Sequence, residues 1–436
     1  MTAALTSTLV LLFGSFALGA HVAVALIMTA LVVGLTFIGP VWDFFAQIPW
    51  NTTSSPTLVV VPLFILMGEI LLRSGVTEDL YGALAKWLNH IPGGLLHTNI
   101  AASGVFAAIS GSSVATATTI GAVAMPSLRS RGYNESLSLG SIAAGGTLGI
   151  LIPPSIILII YGLMAEVSIG QLYMAGIVPG LIMMVVFSLL IFGYSIVRPE
   201  AAPRETDQYT LAEKVAGLVK VLPAGVLITI VLGTIYAGIA TATEAAAFGV
   251  TGAFVIALVK RRVTRAMLND CFLSTAATTG MVMFILVGAF LLQFVLAFTG
   301  VPAAVSNYVT GLGLSEIQLI LLICLIYLVL GMFMESMAMM VTTLPLILPL
   351  LNSMGVDLVW FGIVLVLMVE VSLITPPVGM NLFVLQSLRT RLDGPNARPI
   401  TDIYLGSMPF VLAMFLVLGV IILWPNTALY LVQTMR

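Results

Sequence analysis

Long apolar runs separated by short polar breaks constrain this chain more than any other feature. They fall near residues 4 to 18, 21 to 38, 58 to 72, 95 to 126, 137 to 164, 172 to 197, 221 to 240, 243 to 259, 274 to 297, 317 to 350, 358 to 388 and 404 to 424. A bilayer core ~30 Å thick takes about 20 apolar residues as a helix, so most runs read as one crossing each. The charge balance agrees: of 436 residues 60% are hydrophobic and 8% charged, against roughly 25% charged in soluble domains. So few charges cannot cover a soluble protein of this size, and the lipid bilayer is the solvent of most of the chain. A net charge of -2 supplies no basic field and excludes a nucleic-acid partner. Three His and two Cys give no zinc or disulfide spacing, and Cys271 and Cys324 read as small buried hydrophobes. Residues 5 to 18 look like a signal peptide, but the first cation is Arg73, so a retained first span is expected.

The cations set the orientation. Arg73 with Lys86, Arg129 with Arg131, the stretch Arg198 to Lys220, Lys260 to Arg265, and Arg389 to Arg398 hold every Lys and Arg except Arg436. By the positive-inside rule these five loops are cytoplasmic. The loops 39 to 57, 165 to 171, 298 to 316 and 351 to 357 hold Asp43, Glu166, Glu316 and Asp357 and no cation, and should face outside. Trp42 and Trp50 suit the interface there, and residues 77 to 90 read as an amphipathic surface helix. Runs 95 to 126 and 317 to 350 are too long for one span, each has a polar break, and each is flanked by loops of one kind. Both are expected to be re-entrant helical hairpins, the first from the cytoplasm and the second from outside. Ten crossings then remain, with both termini outside. The Lys and Arg clusters read first as topology anchors, with a specific anionic-lipid site as the less favoured reading.

The chain also repeats itself. GSSVATATTIGAVAMP at 111 to 126 aligns with MESMAMMVTTLPLILP at 334 to 349, matching Ser113 with Ser336, Ala115 with Ala338, Thr119 with Thr342 and Pro126 with Pro349. Pro153-Pro154 and Pro376-Pro377 share that 223-residue offset, and FILMGEI at 64 to 70 resembles FILVGAF at 284 to 290. The expected fold is an all-α polytopic membrane protein built as an inverted repeat, residues 1-200 and 201-436. Each half has five crossings, one hairpin (95-126, 317-350) and one Pro-Pro-broken helix (137-164, 358-388). Inverted repeats with broken helices are a recurring plan of secondary carriers, whose sites lie at the repeat interface near mid-membrane.

The breaks carry the chemistry. A hairpin arm of about 15 residues reaches roughly 22 Å, so the tips, Ser110 to Ser113 and Met334 to Ser336, pass the membrane centre. Helix ends there expose carbonyls and N–H groups that lipid cannot satisfy. Carbonyls with Ser and Thr hydroxyls form an oxygen cage suited to Na+, and exposed helix N-termini favour an anion. The expectation is two Na+ sites: Ser112, Ser113 and the backbone of Gly145 to Gly149, and Glu335, Ser336, Ser372 and Thr375. Each hydroxyl taken alone more often bonds back to its own helix; clustering at both breaks favours the functional reading. Among the acids within apolar runs, costly at mid-bilayer, Glu335 at a tip ranks first. Glu370 is open to protonation, pairing or a cation, and Glu69 and Glu244 are equally explained as structural. His21, His90 and His97 sit near span ends, where an interfacial role outweighs a proton relay.

The stretches PLFILMGEILLRSGV, ISGSSVATATTIGAVAMP, GTLGILIPPSIILIIYG and FMESMAMMVTTLPLILPLL, then LITPPVGMNLFVL, resemble the large membrane subunit of TRAP (tripartite ATP-independent periplasmic) transporters over nearly the whole chain. The resemblance implies Na+-driven import of a small organic acid across a bacterial inner membrane by an elevator motion. It also implies a small four-helix membrane subunit and a periplasmic substrate-binding protein as partners. It places the substrate at Ser112, Ser113, Thr116, Pro154, Ser155, Gly379 and Asn381. The chain departs from the family pattern at Thr116, Met368 and Ser372, where many members carry Asp, Asn and Gly. The alternative is a stand-alone anion/Na+ symporter or ion antiporter. An enzyme is not expected: HExxH and GxSxG are absent.

Overall fold

The computed structural model describes residues 2–203, 207–394 and 398–435; Arg204 of the basic stretches and the terminal Arg436 lie outside them. The described residues form helices and their connections, without a strand. The first half holds α1 (Thr2–Ala17), α2 (Val22–Phe37), α3 (Trp42–Thr53), α4 (Val60–Arg73), α5 (Val76–Leu88), α6 (Leu95–Ser110), α7 (Ser113–Ser130), α8 (Glu135–Leu151), α9 (Ile156–Ala165) and α10 (Ile169–Val197). The second holds α11 (Leu211–Tyr236), α12 (Ala242–Val259), α13 (Arg265–Phe298), α14 (Val301–Gly311), α15 (Glu316–Gly331), α16 (Ser336–Ser353), α17 (Leu358–Leu373), α18 (Met380–Asp393), α19 (Thr401–Leu423) and α20 (Asn426–Gln433). Among the described residues seven helical segments are long and apolar enough to cross a membrane, and the pair α8–α9, bent by 40°, makes an eighth. This is a multi-span membrane protein.

The 95–126 run breaks at Gly111–Ser112 into α6 and α7, which pack on each other, and the 317–350 run breaks between Gly331 and Ser336 into α15 and α16. Both Pro-Pro runs break where expected, α8 ending two residues before Pro153 and α17 three before Pro376. Helices α3 and α14 correct the reading of their stretches as plain loops, and α20 lies beyond the last apolar run. At 12, 11 and 8 residues they are far shorter than a span, so apolar length alone does not reveal them. In α3, Trp42 and Trp50 stay exposed, as an interfacial helix requires. Helices α7 and α18 also run past the apolar segments, because their last turns end in charged residues that pair with neighbours.

Lipid and core faces separate along single helices. On α10, Leu181, Val185, Leu189, Phe192 and Ile196 are exposed at three- and four-residue spacing, while Met183, Phe187 and Ile191 on the other face are buried. Helix α8 is buried from Leu137 to Leu151 and α17 from Val359 to Leu373, as expected of helices apolar all round. Helices α6, α7 and α19 all pack on α8, while α2 lies along α13 and α12 along α4. With lipid as solvent, close backbone approach through small residues replaces hydrophobic collapse between helices. The α8–α19 crossing shows it: a Cβ on Gly140 would fall 2.0 Å from the Gly406 carbonyl oxygen, and one on Gly406 1.9 Å from that of Ser136.

Several cations pair with acids and carbonyls of neighbouring helices. Arg129 on α7 donates to both oxygens of Asp393 on α18, at 2.5 and 2.7 Å, and to Glu135 on α8 at 2.7 Å. Fully buried Arg389 donates to the side chain of Gln386 and to the carbonyls of Arg398 and Pro399 at 2.5 to 2.7 Å. This cluster joins α7, α8, α18 and the approach to α19. The Arg129 hydrogen bonds hold the Asp393 carboxyl below the usual carboxylate range. Its contribution is therefore complete above the ordinary Asp value of ~3.9 and is lost as pH falls through the lower folded value.

Two outcomes follow. Gly406→Ala must push α8 and α19 apart, an overpacking worth ~1–3 kcal/mol; its melting temperature in detergent should fall, while Gly193→Ala, with nothing within 4 Å of the new Cβ, should melt like the parent. Arg129→Gln should remove part of the stability lost on acidification below about pH 4, so melts of parent and variant should converge at the acid end; a constant gap would refute the coupling.

Candidate functional site

The first tip is built by local capping. Helix α6 ends as Gly111 turns left-handed (φ 60°) and donates its N–H to the Ala107 carbonyl, a role that favours glycine. A Cβ there would also sit 2.8 Å from the Pro154 carbonyl oxygen. Ser112 caps α7, its hydroxyl accepting from the Ala115 N–H at 3.4 Å. The Thr116 hydroxyl donates to the Ser112 carbonyl at 2.8 Å and lies 2.7 Å from Ser110 Oγ. Gly149 of α8 faces this turn: a Cβ on it would lie 2.5 Å from Ser112 O and 2.8 Å from Thr116 Oγ1. Gly145 sits one turn away, against Ser103 and the Asn99 carbonyl. After the Pro pair, Ser155 caps α9 by accepting from the Leu158 N–H at 3.4 Å. The first broken helix and the first hairpin tip thus meet at Gly111, Ser112, Gly149, Pro154 and Ser155.

The second tip uses an acid for the same task. Glu335 caps α16, its carboxylate accepting from the N–H groups of Met337 (3.0 Å) and Ala338 (3.1 Å) and from the Ser336 hydroxyl (2.9 Å). Helix α15 approaches α17 so closely that a Cβ on Gly331 would lie 2.0 Å from Ser372 Oγ. The Ser372 and Thr375 hydroxyls donate to their own helix, at Val369 O and Val371 O, both at 2.6 Å; any ligand would meet only their lone pairs. Gly379, at φ 59°, opens α18. Behind it Asn381 is fully buried, and neither its amide nitrogen nor its oxygen has a hydrogen-bond partner among the described residues.

Both tips face one cavity of about 220 Å³. Ser110, Gly111 and Ser112 line one side, Glu335, Ser336 and Met337 another, with Ile156 from the first broken helix. Glu69 and Leu72 of α4 and Thr278 and Met281 of α13 close it, toward the end of α4 that finishes at Arg73. Among the described residues no Lys or Arg lines it. Glu69 accepts from the Ser274 hydroxyl at 2.6 Å and from Arg73 Nε at 3.2 Å, so its carboxylate is oriented and partly balanced. Of the sequence-derived residues, Ser112, Glu335 and Ser336 share this wall. Thr116, Gly149, Pro154 and Ser155 pack against the first tip; Gly145, Ser372, Thr375, Gly379 and Asn381 are not among the lining residues.

Ser113 points elsewhere. Its hydroxyl lies 2.5 and 2.6 Å from the two carboxyl oxygens of Glu370 on α17, and both side chains are buried. This contact links the first hairpin to a helix 257 residues further along the chain. An acid within an apolar run signals Glu370; nothing in the sequence shows its partner. Glu244 is settled as structural, closing a capping box with Thr241 at the start of α12. Glu370→Leu should strand the buried Ser113 hydroxyl at a cost of ~1–3 kcal/mol, whereas Glu370→Gln keeps an acceptor and should cost less. Thermal melts of the purified variants test this, and a Leu variant as stable as the parent would remove the contact from the account.

Comparison with known proteins agrees with this architecture. Residues 9–427 match the family described as "Tripartite ATP-independent periplasmic transporter, DctM component". The chain is 34% identical to the C4-dicarboxylate TRAP transporter large permease protein DctM of Pseudomonas aeruginosa, over 88% of this chain and 87% of that one. It is 31% identical to the sialic acid TRAP transporter large permease protein SiaM of Vibrio cholerae, over 89% of each. It is also 31% identical to the 2,3-diketo-L-gulonate TRAP transporter large permease protein YiaN of Escherichia coli, over 95% of this chain and 96% of that one. Its fold is similar to that of the YdaH transporter of Alcanivorax borkumensis, with a TM-score of 0.68 at 15% identity over 98% and 99% of the two chains. The chain belongs to the DctM family, the large permease component of TRAP transporters, and is a transporter rather than an enzyme.

Proposed function

We propose that this chain imports a small organic acid, coupled to Na+, across the bacterial inner membrane with both termini on the periplasmic side. The observation that carries the reading is the single cavity shared by the two broken hairpin tips. One tip offers Ser112 with its carbonyl, the other Glu335 and Ser336, and no Lys or Arg among the described residues lines the space. A carboxylate there must be met by helix N-termini and hydroxyls, which favours a co-bound cation. The donors suit Na+: the Ser112 carbonyl and hydroxyl, packed against Gly149, form one set, and the repeat-related set is Glu335, Ser336, Ser372 and Thr375. Ser113 belongs to the same turn, with its hydroxyl committed to Glu370. Thr116, Pro154, Ser155, Gly379 and Asn381 form the wider substrate environment in this reading.

In the same reading residues 1-200 and 201-436 are inverted repeats. The reciprocal packing of α2 on α13 and α12 on α4 supports that symmetry. Helices α6 to α9 and α15 to α18 would be the moving elevator part. The relatives are named for C4-dicarboxylate, sialic acid and 2,3-diketo-L-gulonate, which supports an organic-acid cargo. A small four-helix membrane subunit and a periplasmic substrate-binding protein complete the transporter.

Proteoliposomes holding the permease and its small subunit should take up substrate only with the binding protein and an inward Na+ gradient. Ser112→Ala and Ser336→Ala should each raise the Na+ concentration for half-maximal uptake. Uptake indifferent to Na+ and to both variants would overturn the coupling, and uptake without the binding protein would favour a stand-alone symporter or antiporter.

A further inference from the structure

Three helices reach the edge of the apolar layer at the same place. Arg73 ends α4, Lys260 follows α12, and Lys220 is the last cation of α11 before its apolar part. Their ends enclose a groove of about 770 Å³, completed by Arg262 and by Glu78 and Asp79 at the start of α5. Four cations thus face two carboxylates. Lys260 is paired with Asp79, and Arg73 with Glu69 and Asp270. Lys220 and Arg262 make no ion pair among the described residues. The remaining wall is apolar: Leu72, Val219, Pro223 and Val259. Val219 and Val259 are 60% and 77% exposed, so this wall continues onto the outer flanks of α11 and α12, where Val226 and Val255 are also exposed. A basic pocket between membrane helices, wet at one end and apolar at the other, fits a phosphodiester headgroup on an acyl chain.

We propose that this groove between α4, α5, α11 and α12 binds an anionic phospholipid, its phosphate between Lys220 and Arg262 and an acyl chain along Val219, Pro223 and Val259. Individual snorkelling accounts for a cation at each helix end; it does not account for their convergence on one groove in which Lys220 and Arg262 stand outside any ion pair among the described residues. Free phosphate would use the cations but not the apolar wall. The position gives the lipid a consequence. Helix α5 packs on α11 on one side and on the first hairpin, α6 and α7, on the other. A lipid in the groove therefore braces the helix that joins the outer layer to the tip-bearing elements.

The test uses the permease purified with its small membrane subunit, in mixed micelles of neutral detergent with phosphatidylglycerol, with phosphatidylcholine, or with inorganic phosphate. Phosphatidylglycerol should raise the melting temperature and stay bound in native mass spectrometry, and the other two should not. The double variant Lys220→Gln/Arg262→Gln should melt like the parent without lipid and lose most of the phosphatidylglycerol shift. Arg265→Gln, in the same basic stretch but outside the groove lining, should keep it. An equal shift with phosphatidylcholine or inorganic phosphate, a full shift in the double variant, or an equal loss in Arg265→Gln would each overturn the proposal. A double variant that fails to fold is replaced by Val219→Trp, which fills the apolar wall and should displace the bound lipid; lipid retention there would overturn it too.

Discussion

A helix end in the middle of a membrane must find partners for its free carbonyl and N–H groups, because lipid offers none and each unpaired group costs several kcal/mol. This chain breaks four helices inside its apolar runs, and the rest of the architecture arranges for those ends to satisfy one another. Gly111 closes α6 on its own carbonyl, Ser112 and Ser155 cap the helices that follow, and Glu335 caps α16 with two N–H bonds. The Pro154 carbonyl is brought against Gly111, and the Ser112 carbonyl against Gly149. The two tips bring Ser110, Ser112, Glu335 and Ser336 to one small cavity whose other walls are largely apolar.

The same constraint explains the glycines and the buried acid. Helices α8 and α17, buried on every side, can carry polar breaks only if neighbours come close enough to cover them. Gly140, Gly149, Gly331 and Gly406 allow backbone approaches that any side chain would forbid. Glu370 then finds Ser113 across the junction of the two halves. Breaking a buried polar contact of this kind is expensive because its partner stays behind without water. The contact therefore fixes how the first hairpin seats on α17, while the Arg129, Glu135, Asp393 and Arg389 cluster fixes the far end of α7 against α8 and α18.

Much of this was legible in the residues. The apolar lengths marked a multi-span helical chain, with seven or eight spans among the described residues where ten crossings were expected; the polar breaks at Ser110 to Ser113 and Met334 to Ser336 located the helix ends there, and the two Pro pairs located the unwound turns. These signals are local: length, capping chemistry and a missing N–H act within a few residues. Helices α3, α14 and α20 escaped because a short helix lying outside a span leaves no apolar length to read. Ser372 and Thr375 stood in a donor set on composition, and their hydroxyls turned out to serve their own helix. Glu370 was visible as a misplaced charge, but its partner was not.

The sequence by itself determined the solvent, the helical class, the positions of the breaks and the family motifs, since each follows from the chemistry of neighbouring residues. Tertiary structure alone decided which breaks share a cavity, that Glu69 and Thr278 wall it, that Glu370 meets Ser113, and that Arg73, Lys220, Lys260 and Arg262 converge on one groove. Those are contacts between residues tens to hundreds of positions apart, set by how helices cross. Crossing geometry depends on the summed shape of whole helix faces, which no local pattern encodes.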